Sequence, residues 1–371
     1  MPAFDFLIIG SGMAGAGAAY ELADGGRVLL LEREEAHGHH TTGRSAALFM
    51  ESYGNDVIRG LTRASRAFFE APPEGFTDYP LLTPRGCLHL ARPDQIEALA
   101  GVPGVVGPLD KAAVLAMVPA LREGYVGAGL YEADAMDADV AGLHQGFLKG
   151  AKTRGAEIRL NAEVTGIARH GDGFVVTVAS GESFEAAVVV NAAGAWADVV
   201  GRMAGATPIG LRPMRRTAVI VDAPEGLDIR SWPAVIDVDE QFYFKPDAGR
   251  ILASPADETP AEPHDAWADD MDVAICIERV QEAADIPVRR IVRSWAGLRS
   301  FVADRSPVIG YDDAAPGFFW LAGQGGYGVQ TAPAAARAAA ALARRRDLPA
   351  DIVGEGVTAQ SLSPGRLRQA T

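Results

Sequence analysis

One stretch constrains this chain more than any other. Its first apolar run, Phe4–Ile9, breaks at glycines spaced Gly10-x-Gly12-x-x-Gly15 and passes into the small-residue segment Ala16–Leu22. Strand, glycine turn and helix in that order open a βαβ unit that binds dinucleotides. Gly10 lets the chain turn off the strand, Gly12 leaves no side chain in the path of a pyrophosphate, and Gly15 lets the helix lie close to the sheet. The helix start, at Met13 and Ala14, offers N–H groups and a positive dipole end to phosphates. A second apolar run, Arg27–Leu31, ends in Glu32 and Arg33. That places a carboxylate about 20 residues past the glycines, where it can hold ribose hydroxyls. An adenine dinucleotide is expected, and these residues alone do not separate NAD from FAD.

At 371 residues the chain has length for about two domains. A net charge of −14 argues against nucleic acid and anionic membrane surfaces, both of which call for basic patches. Cys87 and Cys276 lie far apart without a C-x-x-C spacing, so neither a disulfide framework nor a zinc site is implied. With no signal-peptide pattern and no apolar run near the ~20 residues of a membrane helix, a cytoplasmic protein that is not integral to the membrane is expected. His37, His39 and His40 crowd one loop without carboxylates or thiolates at the usual ligand spacing, so they read as solvated or capping residues and no metal is expected. Beyond them, Thr42-Gly43-Arg44-Ser45-Ala46-Ala47 reads as a helix entry with further donors for an anion.

The periodicity predicts helices over 54–71, 94–99, 111–117, 139–149, 272–283 and 331–345, with strand-like runs between them. The buried-type strand 186–190 runs into Asn191-Ala192-Ala193-Gly194-Ala195-Trp196, small residues that let the backbone approach a ligand. From 211 to 298 the pattern becomes antiparallel α+β. The fold expected is α/β, α+β overall. A discontinuous Rossmann-like domain (1–49, 139–210 and 300–371) carries a substrate domain inserted in two pieces (50–138 and 211–299) and built on an antiparallel sheet.

Several separated segments resemble one family. The Gly10–Gly15 fingerprint, Thr42–Ala47, Asn191–Trp196, Trp295-Ala296-Gly297-Leu298-Arg299 and Gln324-Gly325-Gly326-Tyr327-Gly328 are together similar to the D-amino acid oxidase superfamily of FAD enzymes. Ala64–Phe69, His144-Gln145-Gly146, Phe242–Gly249 and Trp295–Asp304 further resemble the bacterial D-arginine dehydrogenases, broad-specificity enzymes that oxidise D-amino acids. The resemblance implies FAD at the first glycines and a flavin ring between Ser45–Ala47 and the Gly325–Gln330 loop. It adds Val164, Ala193, Gly194, Trp196, Gly297, Arg299, Tyr327, Gly328, Val329 and Thr331 to the cofactor contacts. Relatives that tether flavin use a cysteine ahead of the late strand; Ala303–Pro307 has none, so noncovalent FAD is expected.

The resemblance also implies that Arg216 and Arg299 grip a substrate carboxylate, the task to which a planar guanidinium is suited, assisted by Tyr53 and Tyr243. Hydride transfer from Cα to flavin N5 needs no side-chain base, and the Gly326 carbonyl or the Gln330 side chain could orient the amine. His89 and His144 are more often structural than catalytic in such places, and Arg215 reads as a surface residue. Arginine-preferring relatives place an acid at Cys87, a histidine at Leu48 and a threonine at Met50. With Leu48, Met50 and Cys87 instead, a neutral or apolar side chain is expected, and Glu51 is the one acid nearby without a match. The product would be a 2-oxo acid and ammonia, with a quinone or an electron-transfer protein as possible acceptor. Alternatives are a glycine- or sarcosine-type oxidase using O2, a 2-hydroxy acid dehydrogenase and a flavin-binding protein without turnover.

Overall fold

The structure, a computed structural model, describes residues 3–105 and 107–368. The strand Phe4–Ile9 lies between Val28–Leu31 and Ser183–Asn191 and runs parallel to both. Glu157–Arg159 extends the sheet on one side and Phe318–Ala322 on the other, again parallel. Parallel strands are covered on both faces and read as unbroken apolar runs. Val28–Leu31 and Phe318–Ala322 accordingly are buried at every position. Ser183–Asn191 serves two partners along one edge. Its start pairs antiparallel with Gly173–Val178, and its end, from Val189, pairs with Phe318–Ala322.

Helices Met13–Leu22, Val140–Thr153 and Ala332–Ala343 share one core on the sheet, where alanines let the helices approach closely. Helix Asp56–Glu70 departs from the domain division expected at residue 50. It packs on Ala332–Ala343, with Ser65 Oγ accepting the Ala334 N–H at 3.1 Å and Leu61 and Phe69 joining the core of the nucleotide-binding part. Periodicity shows that such a helix has an apolar stripe, but not which partner the stripe will meet.

The second sheet is organised by two long antiparallel strands, Arg212–Asp222 and Ile291–Phe301. The sheet is antiparallel as expected except at one pair: Cys87–Ala91 pairs antiparallel with Ala128–Glu132 but parallel with Ala234–Asp237. Helices Asp270–Ala283 and Lys111–Met117 cover its outer face through Leu88, Leu90, Val219 and Val221. The helix expected over 94–99 is instead the 3₁₀ segment Ile96–Gly101, too short between Pro93 and Pro103 to settle into an α-helix. A small sheet of Leu48–Phe49, Leu82–Pro84 and Met136–Ala138 links the two parts.

Candidate active site

A cavity of about 820 Å³ lies between the C-terminal ends of the parallel strands and the inner face of the second sheet. Ligands bind open α/β sheets at that edge. Gly10 has φ +100°, and a Cβ there would stand 2.5 Å from the Ala192 carbonyl oxygen. A Cβ on Gly15 would stand 1.8 Å from the Gly10 carbonyl oxygen, so the helix reaches the strand only because that position is bare. Gly12 contributes no side-chain cap; Thr42 Oγ1, from the next loop, accepts the Met13 N–H at 2.9 Å. Glu32 is buried on the cavity wall. Its Oε2 accepts from the Ser11 N–H (2.8 Å) and hydroxyl (2.7 Å), and its Oε1 from the Glu34 N–H (3.1 Å). A carboxylate has about four acceptor sites, so capacity for a ribose hydroxyl remains.

Two histidines brace this loop. His37 Nδ1 lies 2.9 Å from Ser11 Oγ, and His144 Nε2–H donates to the Ser11 carbonyl at 2.7 Å. Burial lowers the pKa of both, so each favours its neutral form. His144 is thereby a pin for the glycine loop rather than a base. His39, His40 and Asp265 bring ligand atoms within 4.8 Å of one another, but the Arg44 guanidinium pairs with Asp265 and already supplies its counter-charge. Arg44 also donates to the Ala296 carbonyl at 3.1 Å, while its own carbonyl accepts from Trp295 Nε1 at 2.9 Å.

Met13, Ala14, Arg33, Thr42, Arg44, Ser45, Ala46, Ala47, Val164, Ala193, Gly194 and Trp196 line the cavity, as do Gly297, Arg299 and the loop from Gly325 to Gln330. Gly15, Gly43 and Thr331 support that wall from behind without lining it. Two sealed polar atoms on the wall, Ser300 Oγ and Gln324 Nε2, have no hydrogen-bond partner among the described residues. Buried polar atoms rarely stay unpaired. Neither atom faces the cavity as it stands; the cradle of bare glycines is what fits the pyrophosphate of FAD.

At the other end, Arg216 pairs with Gly297 across the two long strands and Met214 with Arg299, which puts both arginines on the cavity face, diagonal to each other. Their situations differ. Arg216 is buried, with Nε donating to the Asp257 carbonyl (2.6 Å) and Nη2 to Glu258 Oε1 (3.2 Å). Arg305 grips the same Glu258 with both Nη atoms, at 2.7 and 3.0 Å. Burial opposes the charge of Glu258, but Arg305 and Arg216 outweigh it and hold the carboxyl below its ordinary range. Arg299 has no carboxylate within 4 Å among the described residues, and its contact to the Tyr53 hydroxyl is long, at 3.5 Å. Burial works against its charge, yet Tyr53 and Tyr243 more than offset this, and its pKa lies above the ordinary value. Tyr327 packs edge-on against Tyr53 at 4.8 Å, its phenol pushed up to about 12 by burial. An even two-arginine clamp is therefore not what the chain builds: Arg299 is open and Arg216 is partly engaged. Arg215, expected on the surface, lies beneath helix Asp270–Ala283 and pairs with Asp272 at 2.8 Å.

Four further expectations shift. The Gln330 amide is engaged, donating to Thr62 Oγ1 at 2.8 Å and to the Met50 carbonyl at 3.3 Å, so it fixes Met50 rather than holding an amine. Leu48 and Met50 line the cavity, but Cys87 is fully buried behind Met50 and does not. Glu51 leaves the pocket to pair with Arg66 at 2.6 Å. Asp237, Asp239 and Glu240 line the cavity, and a further acid, Glu132, directly across from Cys87 on the neighbouring strand, contacts two lining residues without lining it. It is held by Ser52 Oγ (2.5 Å) and lies 3.5 Å from His89 Nε2. Ser52 and Glu132 escaped sequence reading because only the fold brings them to His89, Glu132 by strand pairing and Ser52 from the turn after Leu48–Phe49.

Residues 5–342 match the family of FAD dependent oxidoreductases known as DAO. The chain belongs to that family. As a DAO member it is an FAD-dependent oxidoreductase, and FAD is its cofactor. Among curated relatives, human mitochondrial sarcosine dehydrogenase is 28% identical over 339 residues, 84% of this chain but 36% of its own length. The chain thus spans about a third of the sarcosine dehydrogenases it matches. Glycine oxidase from Geobacillus kaustophilus is 24% identical over 96% of this chain and 97% of its own. The solved structure of glycine oxidase from that organism superposes with a TM-score of 0.80, covering 94% of this chain and 96% of its own at 24% identity. The FAD-bound L-alpha-glycerophosphate oxidase of Mycoplasma pneumoniae, 21% identical, superposes at 0.82, covering 93% of this chain and 95% of its own. These superpositions show a shared fold. Among the described residues no helix is long and apolar enough to cross a membrane.

Proposed function

We propose that this chain carries out FAD-dependent oxidative deamination of a D-amino acid with a neutral side chain, giving a 2-oxo acid and ammonia. One observation carries the reading: Arg299 is a cation on the cavity wall, surrounded by tyrosines and without a carboxylate partner among the described residues. A guanidinium held charged at the cavity wall is placed to receive a substrate carboxylate. Arg299 would take that carboxylate with Tyr53 and Tyr243, while Arg216, partly engaged by Glu258, adds a weaker second contact. Gly326 lies against the guanidinium, where a Cβ would stand 2.9 Å from Nη1, so its backbone borders the place where the amine is held. Bound FAD supplies the two-electron acceptor. The chain's own residues fix the carboxylate and present the Cα–H, and the resulting imine hydrolyses in water.

No side-chain base is assigned, since His144 is bound to Ser11 and His89 faces Glu132. The cofactor is held noncovalently in this reading: both cysteines are buried, neither lines the cavity, and burial raises both thiol pKa values, that of Cys276 to about 12. The D configuration rests on the resemblance to D-arginine dehydrogenases. A second reading, a glycine- or sarcosine-type oxidase, is favoured by the full-length match to glycine oxidase.

Anaerobic mixing with a panel of D- and L-amino acids, glycine, sarcosine and 2-hydroxy acids tests the proposal by bleaching of the flavin. A neutral D-amino acid is expected to bleach it fastest. Leading rates for glycine or sarcosine, with peroxide formed in air, would favour the second reading, and a leading rate for D-arginine or an L-isomer would overturn the first.

A further inference from the structure

The cavity face of the second sheet carries a row of side chains across adjacent strands: His89 pairs with Ile236, and Ile236 with Tyr243. Tyr243 stands at the carboxylate end of the site, and His89 closes the other end of the row. Strand spacing of about 4.8 Å sets the two about 10 Å apart at the backbone. A substrate held at Arg299 therefore approaches His89 only through its side chain.

His89 is not alone there. Its Nε2 faces Glu132 Oε2, whose carboxylate also accepts the Ser52 hydroxyl and, at 3.4 Å, the Ser52 N–H. Glu132 has no lysine or arginine within 4 Å among the described residues. Burial opposes its charge, but the bonds from His89 and Ser52 outweigh burial and hold it below its ordinary value. An ionised carboxylate only accepts, so the proton between the two sits on Nε2. That leaves His89 Nδ1, without a partner among the described residues, on a side chain that lines the cavity.

We infer that His89, oriented by Glu132 and Ser52, selects substrates whose side chain ends in a neutral hydrogen-bonding group, an amide or hydroxyl, over hydrocarbon side chains of the same shape. The inference rests on the amino acid reading above and names its substrate class. A hydrocarbon end that displaces water from Nδ1 leaves it unpaired, whereas an amide or hydroxyl satisfies it, and such differences discriminate strongly between isosteres. Leu48 and Met50 supply the apolar flank along which either side chain lies.

The test compares D-asparagine with D-leucine, which are similar in shape, by anaerobic flavin reduction in the wild-type holoenzyme and in His89→Leu, His89→Gln and Glu132→Gln. Wild type is expected to favour D-asparagine. In His89→Leu the asparagine-to-leucine ratio of kred/Kd should fall at least about tenfold, chiefly through Kd. His89→Gln, which keeps a polar end, should retain most of the preference, and Glu132→Gln should lose part of it. Because the readout is a ratio within one protein, a general loss of folding or flavin does not mimic it. If His89→Leu does not retain flavin, the Gln variants carry the comparison. An unchanged ratio in His89→Leu or, where that variant loses flavin, in Glu132→Gln, or a wild-type preference for D-leucine, overturns the inference while the amino acid reading stands. Failure of both compounds to bleach the wild-type flavin, with bleaching by glycine or sarcosine, overturns that reading and this inference with it.

Discussion

Replacing Arg299 with Met should leave the stability of the substrate-free holoprotein little changed and make a poorer enzyme. In the free protein the guanidinium is half-buried, with no carboxylate within 4 Å among the described residues and one long contact to Tyr53. Burial works against its charge and the tyrosines offset this, so the Tm should stay within a few degrees of wild type. With substrate the loss is large. Losing one partner of a desolvated ion pair costs about 2–5 kcal/mol, so Kd for the amino acid should rise by at least about 30-fold. Thermal ramps followed by flavin fluorescence, in a buffer poor in small anions, give the first quantity. Anaerobic titration of flavin reduction gives the second. A Tm far below wild type in Arg299→Met, or an unchanged Kd, would refute the view that this cation waits for a carboxylate.

Three other outcomes follow from the geometry. Gly15→Ala drives a methyl group into the Gly10 carbonyl oxygen, 1.8 Å away, so the helix must shift; flavin content on purification should fall sharply, with stability lower by about 1–3 kcal/mol. Glu258→Gln removes the charge that Arg216 shares with Arg305, and Kd for the substrate carboxylate should fall severalfold; a rise would show that Glu258 instead positions Arg216. Burial lowers the pKa of His37, His40 and His144 below the ordinary 6.5, so the unfolded chain takes up protons first as the pH falls. Their contribution to stability is therefore complete above pH 6.5 and is lost as the pH drops from there through the folded-state values. Tm measured from pH 8 to 5 should decline below 6.5, and His144→Gln should flatten part of that slope.

The dinucleotide end was legible because its requirements are local. Gly10, Gly12 and Gly15 lie within six positions of one another, and Glu32 is held by Ser11, which sits between the first two glycines. The substrate end was legible only as residue types. Arg216 and Arg299 were recognised as carboxylate partners, yet the occupant of Arg216 is Glu258, some forty positions along the chain. Gln330 looked free and is engaged by Thr62, which a helix assigned to the other domain carries across. Glu51, the unmatched acid near the side-chain pocket, pairs with Arg66, while Glu132 reaches His89 through the pairing of its strand with Cys87–Ala91.

By itself the sequence determined the order of elements, the glycine turn that receives a dinucleotide, and the supply of arginines and tyrosines for an anion. These follow from steric rules and periodicities that act over a few residues. Only the tertiary structure decided which of those arginines is open, which acid meets His89 and which polar side chains are already engaged. Whether a charge is paired depends on neighbours brought from distant parts of the chain, and local pattern carries no record of them.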